Sequence, residues 1–409
     1  MIKAPRGTHD ILPNEQARWT QVTSAFEETS RRYGYRAITT PTFEHAELIQ
    51  RTSGEGSDIV QKEIYVFEDR SGRALALRPE ATAPVARAYL EHGLHRQPQP
   101  VKTYLVGQMF RYDRPQRGRY REFWQLNVEA IGSDDPALDA EVIRLYDDLL
   151  GRLGVRRYWL ELNSIGDRRC RPAYLEELNH WLDAHPDVLT PEVVQKRETS
   201  PLRVFDVKDE RVRAALADAP KIGESLCDEC RTHFDDVRAY LDAYGVSYRV
   251  SPTLVRGLDY YTRTTFEFLG EALGAKDSIC GGGRYDYLVE EIGGPATPGI
   301  GWAAGVERLV LQLEEEAGAL EPGGDLDVFL VSADGDRRDA LRTLAELRDA
   351  GLRADTDYAG RSHSAQIKHA NRLEPRYVVI LEGGTATVRE RGRDDREIPK
   401  RELGAALAR

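Results

Sequence analysis

Between Arg111 and Arg121 the chain places arginines at 111, 114, 117, 119 and 121, in a loop between two strand-like runs. On the second run Phe123, Gln125, Asn127 and Glu129 share one face, and Trp124, Leu126, Val128 and Ala130 the other, because strand side chains alternate with period two. On the first, Tyr104, Val106, Gln108 and Phe110 oppose Leu105, Gly107, Met109 and Arg111. Fixed guanidinium groups beside an amide and a carboxylate suit a substrate that carries both phosphate and a small polar group. The same pattern also describes an ordinary hairpin with a solvated basic turn.

Four further stretches carry groups of the same kind. In Arg78-Pro79-Glu80-Ala81-Thr82 a strand gives way to a helix, and the Glu80 carboxylate and Thr82 hydroxyl can receive an ammonium group or cap the helix. The run 251–268 holds Arg256, Gly257, Asp259, Tyr260 and Tyr261. An arginine beside paired tyrosines can bind a carboxylate or phosphate while a phenol meets a small ring, or can pack on a sheet with Arg256 exposed. On an unbroken strand Arg256 and Tyr260 share a face, and Gly257 can break that register. Gly281-Gly282-Gly283-Arg284 reads as a glycine-rich turn after a strand, neither a Walker loop nor GxGxxG. Arg308 stands in the first turn of a helix, where the dipole disfavours it; a phosphate or a neighbouring acid such as Glu307 would explain it. Cys227-Asp-Glu-Cys230 has metal-like spacing, but no second pair is near beyond His233, and structural zinc takes four ligands, so no metal site is expected.

These groups need a scaffold of some size. A chain of 409 residues predicts two or three domains, and 41% hydrophobic with 31% charged residues describes a globular protein with a sizeable core. No run approaches the ~18 apolar residues of a membrane helix, and the first residues lack the apolar core of a signal peptide. Four cysteines make no disulfide framework at this length, so a reducing cytoplasm is expected. The net charge is −11, yet residues 327–409 carry 16 basic and 15 acidic side chains, which leaves a relatively basic tail on an acidic body and fits a local polyanion contact.

Periodicity predicts a helix from about Glu15 to Tyr33 capped by Asn14, an edge or interface strand Arg36–Phe43 interrupted by Pro41, and a hairpin of Lys62–Phe67 with Ala74–Leu77. A helix follows from about Ala83 to His92. The amphipathic stretch Pro136–Leu153 is a clear helix, followed by a strand near Arg157–Asn163. Residues 169–248 read as an inserted helical subdomain between sheet-rich regions. Strands resume at Thr264–Phe268, Ser278–Cys280 and about Gly299–Ala304, and a helix ends near Glu316. Residues 319–326 have linker composition, and 327–409 alternate strands and helices as in a small α/β domain with a mainly parallel sheet. No internal repeat or low-complexity tract is present.

The chain resembles the histidyl-tRNA synthetases, members of the class II aminoacyl-tRNA synthetases. The resemblance is carried by RGTHDILP (6–13), LRPEAT (77–82), GQMFRYDRPQRGRYREFWQ (107–125), LNSIGD (162–167), LVRGLDYYTRTTFEF (254–268), CGGGRYD (280–286) and GIGWAAGVERL (299–309). It implies an antiparallel class II sheet flanked by helices in residues 1–318, an α+β catalytic core, with a C-terminal α/β anticodon-binding domain at 327–409. It implies ATP-dependent formation of histidyl-adenylate, then transfer to histidine tRNA, with ATP as a magnesium complex, no prosthetic group, and a homodimer free of membranes. It assigns the histidine α-amino group to Glu80, Thr82 and Gln125, and the imidazole to Glu129 and Tyr261 with Tyr260 in support. Arg111 would contact the α-phosphate, and Arg256 would bridge that phosphate and the histidine carboxylate; these two carry the catalytic charge. Arg119 and Arg308 would join Arg111 on ATP, and Arg114, Gln116 and Arg117 would approach the tRNA acceptor end. Ala81, Tyr287 and Trp302 depart from the family's usual glycine, glycine and phenylalanine. A non-catalytic regulatory paralogue that accompanies ATP phosphoribosyltransferase is the alternative; it lacks an intact RGLDYY element and the C-terminal domain.

Overall fold

A computed structural model describes residues 2–54, 57, 59–207, 209–271, 277–318, 326–332 and 337–408. The chain divides into two compact units, Met1–Ala319 and Leu320–Arg409. Of the expected linker 319–326, residues 319–325 lie outside the described residues.

The first unit is built on an eight-stranded sheet in the order 36–37, 101–110, 122–131, 299–305, 277–284, 262–270, 158–164, 249–250. The six central strands run antiparallel to their neighbours, and the two short outer strands pair parallel. Helices Pro13–Arg32, Pro136–Leu153, Asp228–Ala243 and Val306–Ala317 supply apolar stripes to one face of this sheet. There Leu126, Val128 and Ala130 meet Phe26, Tyr146 and Trp302, all buried. Edge-on rings join Trp302 to Phe26 and to Tyr146, with centroids 5.6 and 4.9 Å apart. The Trp302 indole N–H donates to the Val142 carbonyl at 3.0 Å, so the larger ring is buried without an unpaired donor.

Local chemistry sets the helix ends, with small departures from expectation. The first helix begins at Pro13, whose missing N–H costs nothing at that position, and the Glu15 carboxylate accepts the Leu12 N–H at 2.8 Å. Asn14 therefore lies inside the helix and is not its cap. Asp135 caps the next long helix by accepting the Ala137 N–H at 2.9 Å, and Gly154 ends it at φ +80°. The expected 36–43 strand is broken. Arg36–Ala37 pairs with the large sheet, Phe43–His45 joins a separate three-stranded sheet, and Pro41, which has no N–H to donate, lies between them.

The insertion folds as the helices Arg171–Ala184, Pro191–Thr199, Glu210–Ala215 and Asp228–Ala243 around their own core of Tyr174, Leu178, Val193, Val204 and Leu216. Helix Asp228–Ala243 joins two cores: Cys230 belongs to the insertion, Val237 and Leu241 to the main one.

The second unit has a five-stranded sheet in the order 354–356, 328–332, 377–382, 385–390, 396–399. Its first three strands are parallel, whereas the hairpin 385–399 adds two antiparallel strands, so the sheet is mixed and not mainly parallel. Alternation along 328–332 sends Val328 and Leu330 to a core with helix Arg337–Asp349, and Phe329 and Val331 to one with helix His363–Leu373. No described helix is long and apolar enough to cross a membrane.

Candidate active site

The face of the large sheet opposite the helices forms the floor of a cavity of about 660 Å³. The alternation expected along 122–131 holds: Gln125, Asn127 and Glu129 lie on this face, with Leu126, Val128 and Ala130 in the core behind. Gly281-Gly282-Gly283 is not a turn. It lies inside strand Asp277–Arg284 and pairs on both sides, opposite Glu267, Phe266 and Thr265 and opposite Ala303, Trp302 and Gly301. The glycines are needed for close approach. A Cβ on Gly281 would stand 2.0 Å from Arg256 Nη2, one on Gly283 would stand 2.8 Å from the Tyr261 ring, and one on Gly301 would stand 2.0 Å from Glu129 Oε2.

Glu80 both caps and lines. Its carboxylate accepts the N–H groups of Thr82 and Ala83 at 2.6 and 2.9 Å, at the start of helix Thr82–Glu91, and borders the cavity. The Thr82 hydroxyl donates to Glu129 Oε1 at 2.6 Å. Asn127 Nδ2 donates to the same oxygen at 3.0 Å, and the Tyr285 hydroxyl donates to Oε2. Glu129 is thus fully buried behind Thr82 and is not among the groups that border the cavity. Gln125 borders it, and its buried Oε1 has no partner among the described residues. Ala81 packs under the site against Leu105 and Met109.

Residues 254–261 form a loop, so the alternation rule does not apply to Arg256 and the tyrosines. The loop turns Arg256, Tyr260 and Tyr261 into the cavity together, with the two phenol rings 4.6 Å apart. Arg256 Nη1 pairs with Glu267 Oε1 at 2.6 Å. Arg111 donates to the Pro79 carbonyl at 2.8 Å and rests over the Phe123 ring. Arg308 donates to the carbonyls of Gly118 and Ser278 at 3.0 and 2.5 Å, while the neighbouring Glu307 accepts the Trp124 N–H at 2.8 Å. Arg119 borders the cavity and pairs with Asp113 at 3.2 Å. Arg114, Gln116 and Arg117 are exposed, do not border the cavity, and belong to a loop closed by a bridge between Gln116 and Arg119. Arg117 reaches Glu315 at 3.0 Å. The N-terminal segment helps hold this loop, as Arg121 N–H donates to the Gly7 carbonyl at 2.8 Å.

Burial dominates the electrostatics. It pushes the Glu129 carboxyl up to about 7 against the hydrogen bonds from Thr82, Tyr285 and Asn127. It also raises Glu80, and carries Glu307 up to about 7. Tyr261 is raised to about 12 for the same reason, so its phenol stays protonated and can donate. For Arg256, burial opposes the charge, but Glu267 and Tyr261 outweigh it and hold the guanidinium ionised. The cavity therefore sets fixed cations near the buried carboxyls Glu80 and Glu129 and the unpaired Gln125 oxygen. Such a set of groups is able to receive a zwitterion and a polyphosphate together.

Sequence reasoning passed over several residues here. Glu267 faces the cavity because Phe266 and Phe268 alternate into the core, a signal present in the run TTFEF. Arg203 and Asp206 reach the cavity from the insertion, and nothing local marks either; Arg284, singled out only as the end of the glycine run, is fully buried on Asp139 and Asp286. The expectation of no metal ligands around Cys227 and Cys230 rested on sequence neighbours. The fold brings Asp167 and Cys170 to them, with one ligand atom of each of the four within 4.8 Å of the others. His233 lies instead beside Asp139, at 3.6 Å.

A family model for histidyl-tRNA synthetase matches residues 7–169 and 187–309. Histidine–tRNA ligase of Halothermothrix orenii is 49% identical over 95% of this chain and 94% of its own. That of Moorella thermoacetica is 50% identical over 93% and 90%. The crystal structure of apo S. aureus histidyl-tRNA synthetase superposes with a TM-score of 0.84 at 36% identity, covering 100% of both chains. A structure described as an ATP phosphoribosyltransferase regulatory subunit/histidyl-tRNA synthetase from Bacillus halodurans C shares the fold, at 24% identity, a TM-score of 0.66, and coverage of 94% and 99%.

Proposed function

The chain belongs to the histidyl-tRNA synthetase family, and from that membership we propose how its cavity carries out the reaction. The enzyme is a histidine–tRNA ligase: it ligates L-histidine to its tRNA at the expense of ATP, through histidyl-adenylate. The histidine carboxylate attacks the α-phosphorus, pyrophosphate leaves, and the adenylate then acylates the terminal adenosine of tRNA. The observation that carries the assignment of roles is convergence. Glu80, Thr82, Arg111, Gln125, Arg256, Tyr261 and Arg308 come from widely separated stretches and border one cavity.

Glu80, Thr82 and Gln125 receive the α-ammonium group; the unpaired Gln125 Oε1 and the buried Glu80 carboxylate gain most from a cation. Tyr261 donates to the imidazole, with Tyr260 packed behind it, and Glu129 acts through or beside Thr82. Arg111 and Arg256 stabilise the charge that grows on the α-phosphate oxygens, so no side-chain nucleophile takes part. Arg308 and Arg119 hold the outer phosphates. ATP enters as its magnesium complex, and Glu307 fits beside it, since a buried carboxyl near 7 with one oxygen on the Trp124 N–H is a donor that a hard cation would keep ionised.

The exposed Arg114, Gln116 and Arg117 meet the acceptor end of tRNA, and residues 327–409, with their own core, read the anticodon. Phe43 and Phe67, with ring centroids 6.3 Å apart, expose their side chains on one face of the three-stranded sheet and support a homodimer through that face. The four cysteines are free, which suits a cytoplasmic enzyme. A non-catalytic regulatory role is not favoured, because the RGLDYY element is intact and all of it but Asp259 lines the cavity. Histidine-dependent exchange of pyrophosphate into ATP tests the reading. Exchange with histidine alone among the amino acids is expected; histidine binding without exchange would overturn it.

A further inference from the structure

Away from the cavity, three of the four cysteines meet where the insertion joins the sheet. Cys170 is the residue before helix Arg171–Ala184, and Cys227 the residue before helix Asp228–Ala243, with Cys230 in that helix's first turn. Asp167 lies between strand Tyr158–Ser164 and the turn 168–170. One ligand atom from each of these four residues lies within 4.8 Å of the other three, and all but Cys227 are fully buried from solvent.

We propose that Asp167, Cys170, Cys227 and Cys230 form a tetrahedral site for one zinc ion that fastens the helical insertion to the catalytic sheet. Four observations point the same way. First, Cys170 Sγ and Cys230 Sγ are 3.9 Å apart, far too long for a disulfide, whereas two sulfurs at about 2.3 Å from a tetrahedral zinc stand about 3.8 Å from each other. Second, the three thiols stand at the starts of two helices, so both helices converge on one point. Third, the Asp167 N–H points at Cys170 Sγ at 3.3 Å, and Gly166 at φ +61° makes room for that sulfur, since a Cβ there would lie 2.5 Å from it.

Fourth, the surroundings answer the negative charge that three thiolates and a carboxylate would leave on a divalent ion. Arg169 holds Asp167 Oδ2 at 3.1 Å and also contacts Glu229, and Arg263 lies 3.7 Å from the same Asp167 oxygen. Asp167 Oδ1 is 3.6 Å from Cys170 Sγ and takes the Arg169 N–H at 2.9 Å, which leaves it a lone pair for a metal. Thiolate-rich tetrahedral sites select zinc over the harder cations that ATP brings.

The site's position gives it a use. Arg171, one residue after Cys170, donates to the carbonyls of Ile165 and of Tyr261, and Arg263 N–H donates to the Gly166 carbonyl at 2.7 Å. A zinc knuckle at 166–170 would thus hold the backbone on which Tyr261 enters the cavity.

Metal analysis of the full-length chain, purified without chelator and without a histidine tag, tests this. About one zinc per chain is expected, with none in the Cys227→Ser/Cys230→Ser variant and full retention in Cys280→Ala. Because a serine variant of a buried cluster can fail to fold, the unmodified chain carries a second measurement. After zinc is exchanged for cobalt, the intense thiolate-to-cobalt absorption and the strong visible bands of tetrahedral cobalt are expected. A metal-free chain in which all four thiols react with a thiol reagent would overturn the proposal, and so would a disulfide among the three cysteines.

Discussion

Arg256 Nη1 and Glu267 Oε1 lie 2.6 Å apart, and the guanidinium passes over Gly281, the residue paired with Glu267 across the strands. The carboxylate orients a cation whose proposed partner in the reaction is the α-phosphate. Its charge matters most when negative charge builds up there, so the Arg256→Ala variant should lose about 10²–10³-fold in histidine-dependent exchange while its histidine affinity changes by less than about tenfold. Exchange rates with equilibrium binding of histidine separate the two. Near-normal exchange would remove Arg256 from the catalytic set.

Two glycines of neighbouring strands in the large sheet should fail in different ways. On Gly281 the three atoms nearest a Cβ all belong to the end of the Arg256 side chain, the nearest at 2.0 Å, and that end can swing aside. Gly281→Ala should therefore fold with little change in Tm and lose exchange by about tenfold or more through the displaced guanidinium. On Gly301 the Cβ meets the Val128 carbonyl oxygen at 2.4 Å as well as Glu129, and a paired backbone cannot yield. Gly301→Ala should lose about 1–3 kcal/mol of stability, read by thermal or denaturant unfolding.

Gly281, with the two glycines after it, also marks where sequence reading stopped. Alternation along 122–131 placed Gln125 and Glu129 on one face because each strand residue there has a Cβ whose direction is fixed by the pleat. A run of three glycines has no such pattern and resembles a turn; its strand character comes from neighbours on both sides, which lie 14 or more residues away along the chain. Arg256 and Tyr261 do meet at one cavity, but from a loop, which has no period, so their shared direction could not be read along the sequence. The hairpin 385–399 of the second unit was missed although Ala386 and Val388 alternate inward, since its exposed residues are mostly charged. Cys170 stands 60 residues before Cys230, a separation that only the fold closes.

Glu129 should leave a mark on the pH dependence of stability. Its folded-state value of about 7 exceeds the ordinary 4.5 because burial disfavours the charge, so the native state retains a proton that the unfolded chain has lost. That contribution is fully present below about 4.5 and is lost as pH rises through about 7. At about 1.4 kcal/mol per unit it amounts to roughly 3 kcal/mol at most. Glu129→Gln keeps the shape but does not titrate, and stability measured between about pH 5 and pH 8 should fall less steeply in that variant. Glu307, also held near 7 by burial, adds to the same slope, so a second variant, Glu307→Gln, should flatten it further. An unchanged slope in both would mean that neither carboxyl is protonated in the native state.

Cutting the chain after Leu320 should separate the two half-reactions. Every cavity residue from Lys62 to Arg308 lies in Met1–Ala319, and the apolar clusters beyond that point use residues of the second unit alone. The truncated enzyme therefore keeps its core and all the groups proposed to hold histidine and ATP, and histidine-dependent exchange should stay within a few-fold of the full chain. Transfer to tRNA needs the correct tRNA to be selected as well as an adenylate. Without the anticodon contacts proposed for residues 327–409, kcat/KM for tRNA should fall by about a hundredfold or more, close to 3 kcal/mol of lost binding. A comparison of exchange with aminoacylation on the same preparation reads both. Equal loss of the two would place the tail within the catalytic core, whereas full charging by the truncated enzyme would confine tRNA selection to the acceptor-end arginines at 114 and 117.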